Sequence, residues 1–211
     1  MKNNSFATKK LVGLAVLTAL VIILQFIGSA IRFGVFSISL VLIPIVVGAA
    51  LYGVAGGAWL GFVFGVIVLA SGDSGPFLAF NAPGTVITVL VKGTLAGLFA
   101  GLMYNLVLKL DKPDGETVNR LPDGIRKFVA VIVAAITCPI VNTGIFLLGC
   151  KLFFMDTIRA WAAGAGFENA GAYMILGLVG INFLLEVAVN VVASPIILRI
   201  INIGASMQRS Q

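Results

Sequence analysis

Histidine is absent from the 211-residue chain, and with it the commonest metal ligand and general acid–base side chain. Only two cysteines occur, Cys138 and Cys150. If the apolar segment that carries them is helical, their spacing sets them about 18 Å apart, beyond disulfide reach, and they read as small core residues. Charge is scarce too: Asp, Glu, Lys and Arg make up 10% of the chain, against about 25% in a soluble domain. So little charge cannot clothe a water-facing surface, which excludes a soluble fold. A GxxxxGK[ST] phosphate loop is missing, because Lys92-Gly93-Thr94 has the wrong order and lies in an apolar span. No Ser/His or Cys/His pair and no metal-ligand cluster stands in the sequence. The chain is therefore expected to be neither an enzyme nor the holder of a metal or cofactor.

What is present is hydrocarbon: 60% of the residues are hydrophobic. Crossing a bilayer takes about 20 mainly apolar residues per helix, and the sequence predicts an all-α integral membrane protein with six transmembrane helices in one domain, 1–211. The spans fall at about 11–31, 39–53, 55–71, 84–108, 128–151 and 171–200. The first could be taken for a signal peptide cleaved after Gly28-Ser29-Ala30, but its apolar run exceeds the usual signal core of about 7–15 residues. Spans two and three are short, and the glycine-rich junction between them implies a tight turn. Pro44, Pro139 and Pro195 fall inside spans and are expected to kink them. Excess Lys and Arg marks cytoplasmic segments. With both termini inside, that side holds Lys2, Lys9, Lys10, Lys109, Lys112, Arg120, Arg126, Lys127, Arg199 and Arg209, and the outside only Arg32, Lys151 and Arg159. The net charge of +6 follows these flanks and forms no basic face, so no nucleic-acid partner is expected.

Glycines recur every fourth residue at Gly53, Gly57, Gly61 and Gly65, and again at Gly93, Gly97 and Gly101. Such a series cuts a groove along one helix face where another backbone can approach, within the chain or from a partner. Polar residues inside spans are few. Lys92, Asn142 and Asn182 fall at similar depth in the outer half, with Glu186 below them, and Asn182, Glu186 and Asn190 share one helix face. A charge at that depth must be paired or line a wet cavity. One reading is a structural Lys92–Glu186 salt bridge; the other is an outward-open pocket recognising a polar small molecule. Two outer connections, 72–83 with Phe77, Phe80 and Asn81, and 152–170 with Phe153, Phe154, Trp161 and Phe167, are aromatic. They lie either as a belt in the interface or as a cover over a ligand cavity.

Three features give the chain a family resemblance: Ala15-x-x-x-Ala19 in the first span, the run FSISLVLIPIVVGAALYGVAGGAWLGFVFGVIVL over 36–69, and six spans with a long polar connection between the fourth and fifth. In these the chain resembles the substrate-binding S components of energy-coupling factor (ECF) transporters of bacterial cell membranes. The resemblance implies a subunit that binds a vitamin or related micronutrient from outside, beneath lid-like loops. It also implies that Ala15 and Ala19 dock onto a membrane T subunit joined to two cytoplasmic ATPase subunits, and that the S component topples to deliver its substrate. Riboflavin-specific members use an asparagine in helix five, then an asparagine and a lysine one turn apart in helix six. Asn142 and Asn182 match the asparagines, but Leu185 and Glu186 stand where the lysine is expected. A carboxylate vitamin such as pantothenate would take Lys92 or Arg32 as counter-charge; Asn81 is a further candidate contact. Riboflavin, pantothenate and a third vitamin stay open. The competing class is a self-contained channel or proton-coupled secondary transporter, with Glu186 as the coupling site.

Overall fold

Five helical runs of the computed structural model are long and apolar enough to cross a membrane: Thr8–Ala30, Leu42–Ala70, Ala82–Leu110, Asp123–Phe153 and Ala170–Ser206. In hydrocarbon every backbone N–H and C=O needs an internal partner, and a helix supplies it. The structure describes the backbone of residues 2–30, 32–33, 36–37, 39–110 and 122–209, and the side chains of 8–30, 39–110 and 122–206. Helix α1 (Lys2–Ala30) leads to a minimal antiparallel hairpin, β1 (Arg32–Phe33) and β2 (Phe36–Ser37), with Arg32 opposite Ser37. Then come α2 (Leu42–Ala70), the short α3 (Gly75–Leu78), α4 (Ala82–Leu110), α5 (Asp123–Phe153), α6 (Met155–Gly164) and α7 (Ala170–Ala172). A π-helical stretch, Tyr173–Gly180, runs directly into α8 (Ile181–Arg209).

The second and third expected spans form one helical run that breaks at Gly53, whose φ of 78° and ψ of −174° are not helical. The two arms, 42–52 and 54–70, fold back on each other. A Cβ on Gly48 would overlap the Leu60 side chain, and one on Gly56 would lie 3.2 Å from the Gly48 carbonyl oxygen. In an unbroken helix Gly48 and Leu60 would be about 18 Å apart, so the chain reverses at Gly53. Only glycine adopts that φ without strain. The first arm is six residues shorter than the second, about 9 Å of helix. Its start, with Val41 and Leu42 fully buried, therefore lies inside the protein rather than at the outer ends of its neighbours. Pro44 occupies the first turn of this arm, where no intrahelical N–H bond is lost, and it does not act as the kink the sequence suggested.

The two glycine series meet each other. A Cβ on Gly57 would overlap the Gly97 carbonyl, one on Gly61 the Gly93 carbonyl, and the reverse holds for Gly93 and Gly97. Gly65 continues the register against Val89, whose carbonyl oxygen would be 2.8 Å from an added Cβ. Arm 54–70 and α4 thus run backbone to backbone, so the grooves serve packing within the chain. At the far end of this seam Gly101 faces Val54.

Apolar burial falls into two clusters. The larger gathers Ile45, Leu60, Phe64, Ala96, Ala100, Ala134, Cys138 and Ile197 from α2, α4, α5 and α8. The smaller joins Phe77, Phe146, Cys150, Phe154, Ile158, Tyr173 and Leu178. Cys138 and Cys150 are both buried free thiols, one in each cluster. The aromatic outer connections are folded elements: each contains a short helix, α3 and α6, which the sequence reading took for loop. Phe77 of α3 makes edge-to-face contacts with Phe146, Phe154 and Trp161 at centroid distances of 5.5, 5.1 and 5.4 Å, a favoured geometry for buried rings. The last helix reaches past residue 200, to Arg209.

Candidate functional site

Between the two clusters lies a cavity of about 70 Å³, room for several waters. Phe64, Val68 and Val89 come from the larger cluster, and Phe77, Phe146, Phe154 and Val179 from the smaller. The aromatic cover that the sequence allowed is therefore present in part. Phe77 and Phe154 line the cavity, while Phe80, 60% exposed and not part of the lining, meets Trp161 edge to face at 5.8 Å.

Polar groups reach this space from every surrounding element. On α4, Lys92 stands one residue before the seam glycine Gly93, so a helix whose one face touches arm 54–70 turns a lysine toward the cavity. The Lys92 ammonium lies 5.6 Å from the Phe64 ring centre and 5.4 Å from that of Phe146, a cation held by two ring faces. Among the described residues it forms no ion pair with Glu186, although both line the cavity. The structural salt bridge considered from sequence is not made.

On α8, Asn182, Glu186, Asn190 and Ser194 stack at four-residue spacing. Asn182 Nδ2 donates to Glu186 Oε1 at 3.1 Å. Asn190 Nδ2 donates to the Glu186 carbonyl at 2.8 Å, and the Ser194 hydroxyl to the Asn190 carbonyl at 3.0 Å. Asn190 and Ser194 do not line the cavity; they continue the stripe into the core. The π-helical turns that precede Asn182 belong to a class of irregularity frequent at functional sites. On α5, Asn142 and Thr143 complete the ring.

Glu186 is 2% exposed and Asn142 4%. Among the described residues, four buried atoms of the cavity wall have no hydrogen-bond partner: Glu186 Oε2, Asn182 Oδ1, Asn142 Oδ1 and Thr88 Oγ1. An unpartnered buried polar group costs about 1–3 kcal/mol, and several around one space mark a place built to meet something polar.

The structure thus brings together Lys92, Asn142, Asn182 and Glu186. Asn81 does not join them. Its side-chain oxygen accepts the Gly84 N–H at 3.0 Å, and it caps the N-terminus of α4. The Arg32 backbone is in β1, but its side chain lies outside the described residues. Ala15 and Ala19 are not among the residues that line the cavity; both are exposed, on a face of α1 with Leu11, Val12 and Val16.

Several lining residues escaped the sequence reading. Gln25 of α1, 2% exposed, donates Nε2 to Asp73 Oδ2 at 2.6 Å, and both line the cavity. Ser39, just before the recessed start of α2, and Thr85 and Thr88 of α4 line it too. Gln25 left one usable signal, a lone amide within the first apolar span.

Residues 9–198 match the family described as ECF transporter, substrate-specific component. No curated protein and no solved structure matches the chain. The family match takes in every element that lines the cavity, from Gln25 of α1 to Glu186 of α8. The chain belongs to the substrate-specific components of ECF transporters, the subunits that bind substrate for a membrane transporter and are not enzymes.

Proposed function

We propose that the cavity between α2, α4, α5 and α8 binds a vitamin or related micronutrient taken up from outside a bacterial cell, and that an ATP-driven ECF transporter carries it inward. The observation that carries this reading is the set of four unpartnered polar atoms around one aromatic-walled cavity. Pockets that take small molecules have this make-up, apolar walls with a few convergent polar groups. Lys92, Asn142, Asn182 and Glu186 are the substrate contacts in this reading, and Gln25, Asp73 and Thr88 join them. Asn142 and Asn182 suit riboflavin; Lys92 suits pantothenate.

The orientation is the one the charges favour, six passes with both termini in the cytoplasm. The hairpin reversal at Gly53 supplies the pass that a straight reading of 42–70 would miss. In that frame α3 and α6 cover the cavity from outside. The exposed Ala15 and Ala19 form the docking face for the membrane T subunit, which links to two cytoplasmic ATPase subunits. Small side chains there let another helix approach closely.

Reconstitution into vesicles tests this function. Uptake of labelled riboflavin or pantothenate, whichever the isolated chain binds, is expected only with the T subunit, the ATPases and ATP. Uptake by the chain alone, driven by a proton gradient, would overturn the proposal in favour of a secondary transporter.

A further inference from the structure

A threonine inside a helix commonly turns its hydroxyl back to a carbonyl of the preceding turn. Thr18, Thr85, Thr94 and Thr137 do so, each donating to the carbonyl four residues earlier, at 2.8, 2.8, 2.7 and 2.8 Å. Thr88 of α4 does not. It is 5% exposed and lines the cavity, and its hydroxyl has no partner among the described residues. The Gly84 carbonyl, four residues earlier in the same helix, is the acceptor it forgoes.

What the side chain meets instead is α5. A Cβ on Gly149 would overlap both Oγ1 and Cγ2 of Thr88 and lie 2.9 Å from its Cβ, so both branches occupy the gap that the glycine leaves. Gly149 is buried and follows Asn142 and Phe146 at spacings of four and three, hence on one face of α5. Asn142 and Phe146 both line the cavity. Packing alone does not account for a threonine at this place. Valine has the same shape and would fill the gap without burying an unmet hydroxyl. Among the four unpartnered wall atoms the carboxylate and amide oxygens only accept, whereas the hydroxyl also donates.

We infer that the Thr88 hydroxyl is a direct polar contact of the bound substrate, and that Gly149 is its positioning residue, keeping it turned from the Gly84 carbonyl. This rests on the binding role proposed above and adds the element that keeps one of its contacts available. Gly149→Ala crowds the gap, and the threonine escapes by the rotation that returns its hydroxyl to its own helix, as in the other four. The site then loses a contact without losing a lining residue.

Titration of the full chain in lipid nanodiscs tests this, with riboflavin, pantothenate and any molecule that mass spectrometry finds released on denaturing the protein. Whichever binds the unaltered chain is then titrated into the variants. Thr88→Val keeps the shape and is expected to weaken binding about three- to tenfold, the loss of one neutral hydrogen bond. Its ligand-free form is expected to melt at the same temperature or higher. Thr88→Ser keeps a hydroxyl and is expected to bind more tightly than Thr88→Val. Gly149→Ala is expected to weaken binding about three- to tenfold beside Thr88, but less than about twofold in the Thr88→Val background, because both changes act on one contact.

Unchanged affinity in Thr88→Val, or a loss that Thr88→Ser shares in full, would overturn the contact and leave the binding role standing. So would a lower melting temperature in Thr88→Val, which would make the hydroxyl a support of the fold. Equal losses from Gly149→Ala in both backgrounds would return Gly149 to packing and overturn its positioning role. The two Thr88 variants decide the contact even where Gly149→Ala does not fold. Absence of both probe binding and any released molecule would overturn the binding role itself, and this inference with it.

Discussion

Helix α4 faces two neighbours in opposite ways. Toward arm 54–70 it shows Gly93 and Gly97, and the two backbones touch with no side chain between them. Toward α5 and α8 it shows Thr85, Thr88 and Lys92, and there the helices enclose a cavity. Adjacent residues, Lys92 and Gly93, belong to the two regimes. In a bilayer, where helix association has no hydrophobic drive, close backbone contact is a main source of packing energy. The seam supplies it, and the rest of the fold can then hold a space whose polar atoms are left unpartnered.

The comparison breaks first at the seam. Gly61→Leu forces a side chain into the Gly93 carbonyl and is expected to destabilise the fold by about 3 kcal/mol or more, the upper range for overpacking. Unfolding in detergent would register it, and a normal transition would place the two helices further apart than they are here. On the exposed face of α1, the docking face in the proposed function, Ala15→Arg is expected to abolish transport by the assembled transporter while ligand affinity changes less than about twofold, because Ala15 does not line the cavity. Equal loss of binding would mean that α1 has no separate docking role.

Substitutions in the cavity sharpen the other half. Lys92→Met is expected to weaken binding by about 1.5–3 kcal/mol, the range for a hydrogen bond to a charged group, with the fold retained. Asn182→Ala and Asn142→Ala are each expected to weaken it by about 1–3 kcal/mol. Unchanged affinity in titration would assign these asparagines to packing alone. The smallest effect belongs to Asn81→Ala: about 1 kcal/mol of stability through the lost cap of α4, with affinity unaltered. A drop in affinity matching that of Asn182→Ala would move Asn81 into the site.

Much of this was legible because in a membrane chain composition is itself structural. Long apolar runs must become helices, glycines at four-residue spacing must face something close, and a lysine or glutamate at depth must meet polar company. These rules located the helical runs, the seam, and Lys92, Asn142, Asn182 and Glu186. They failed where position depends on how the chain returns to itself. Ser39 reaches the cavity because the arm 42–52 is short and recessed, and Asp73 because α3 folds inward. Thr88 faces the same space from beside the close approach of Gly149. Asn81 was misleading because a cap and a ligand contact look alike in sequence. The π-helical turns before Asn182 left no mark in residue type.

Native mass spectrometry of the gently purified chain, beside a Lys92→Met/Asn182→Ala double variant of equal thermal stability, tests most directly that the cavity is a receptor. The chain is expected to carry an extra mass of one small organic molecule, and the variant to lack it. Identical spectra for the two, bare or equally loaded, would contradict a binding site among α4, α5 and α8.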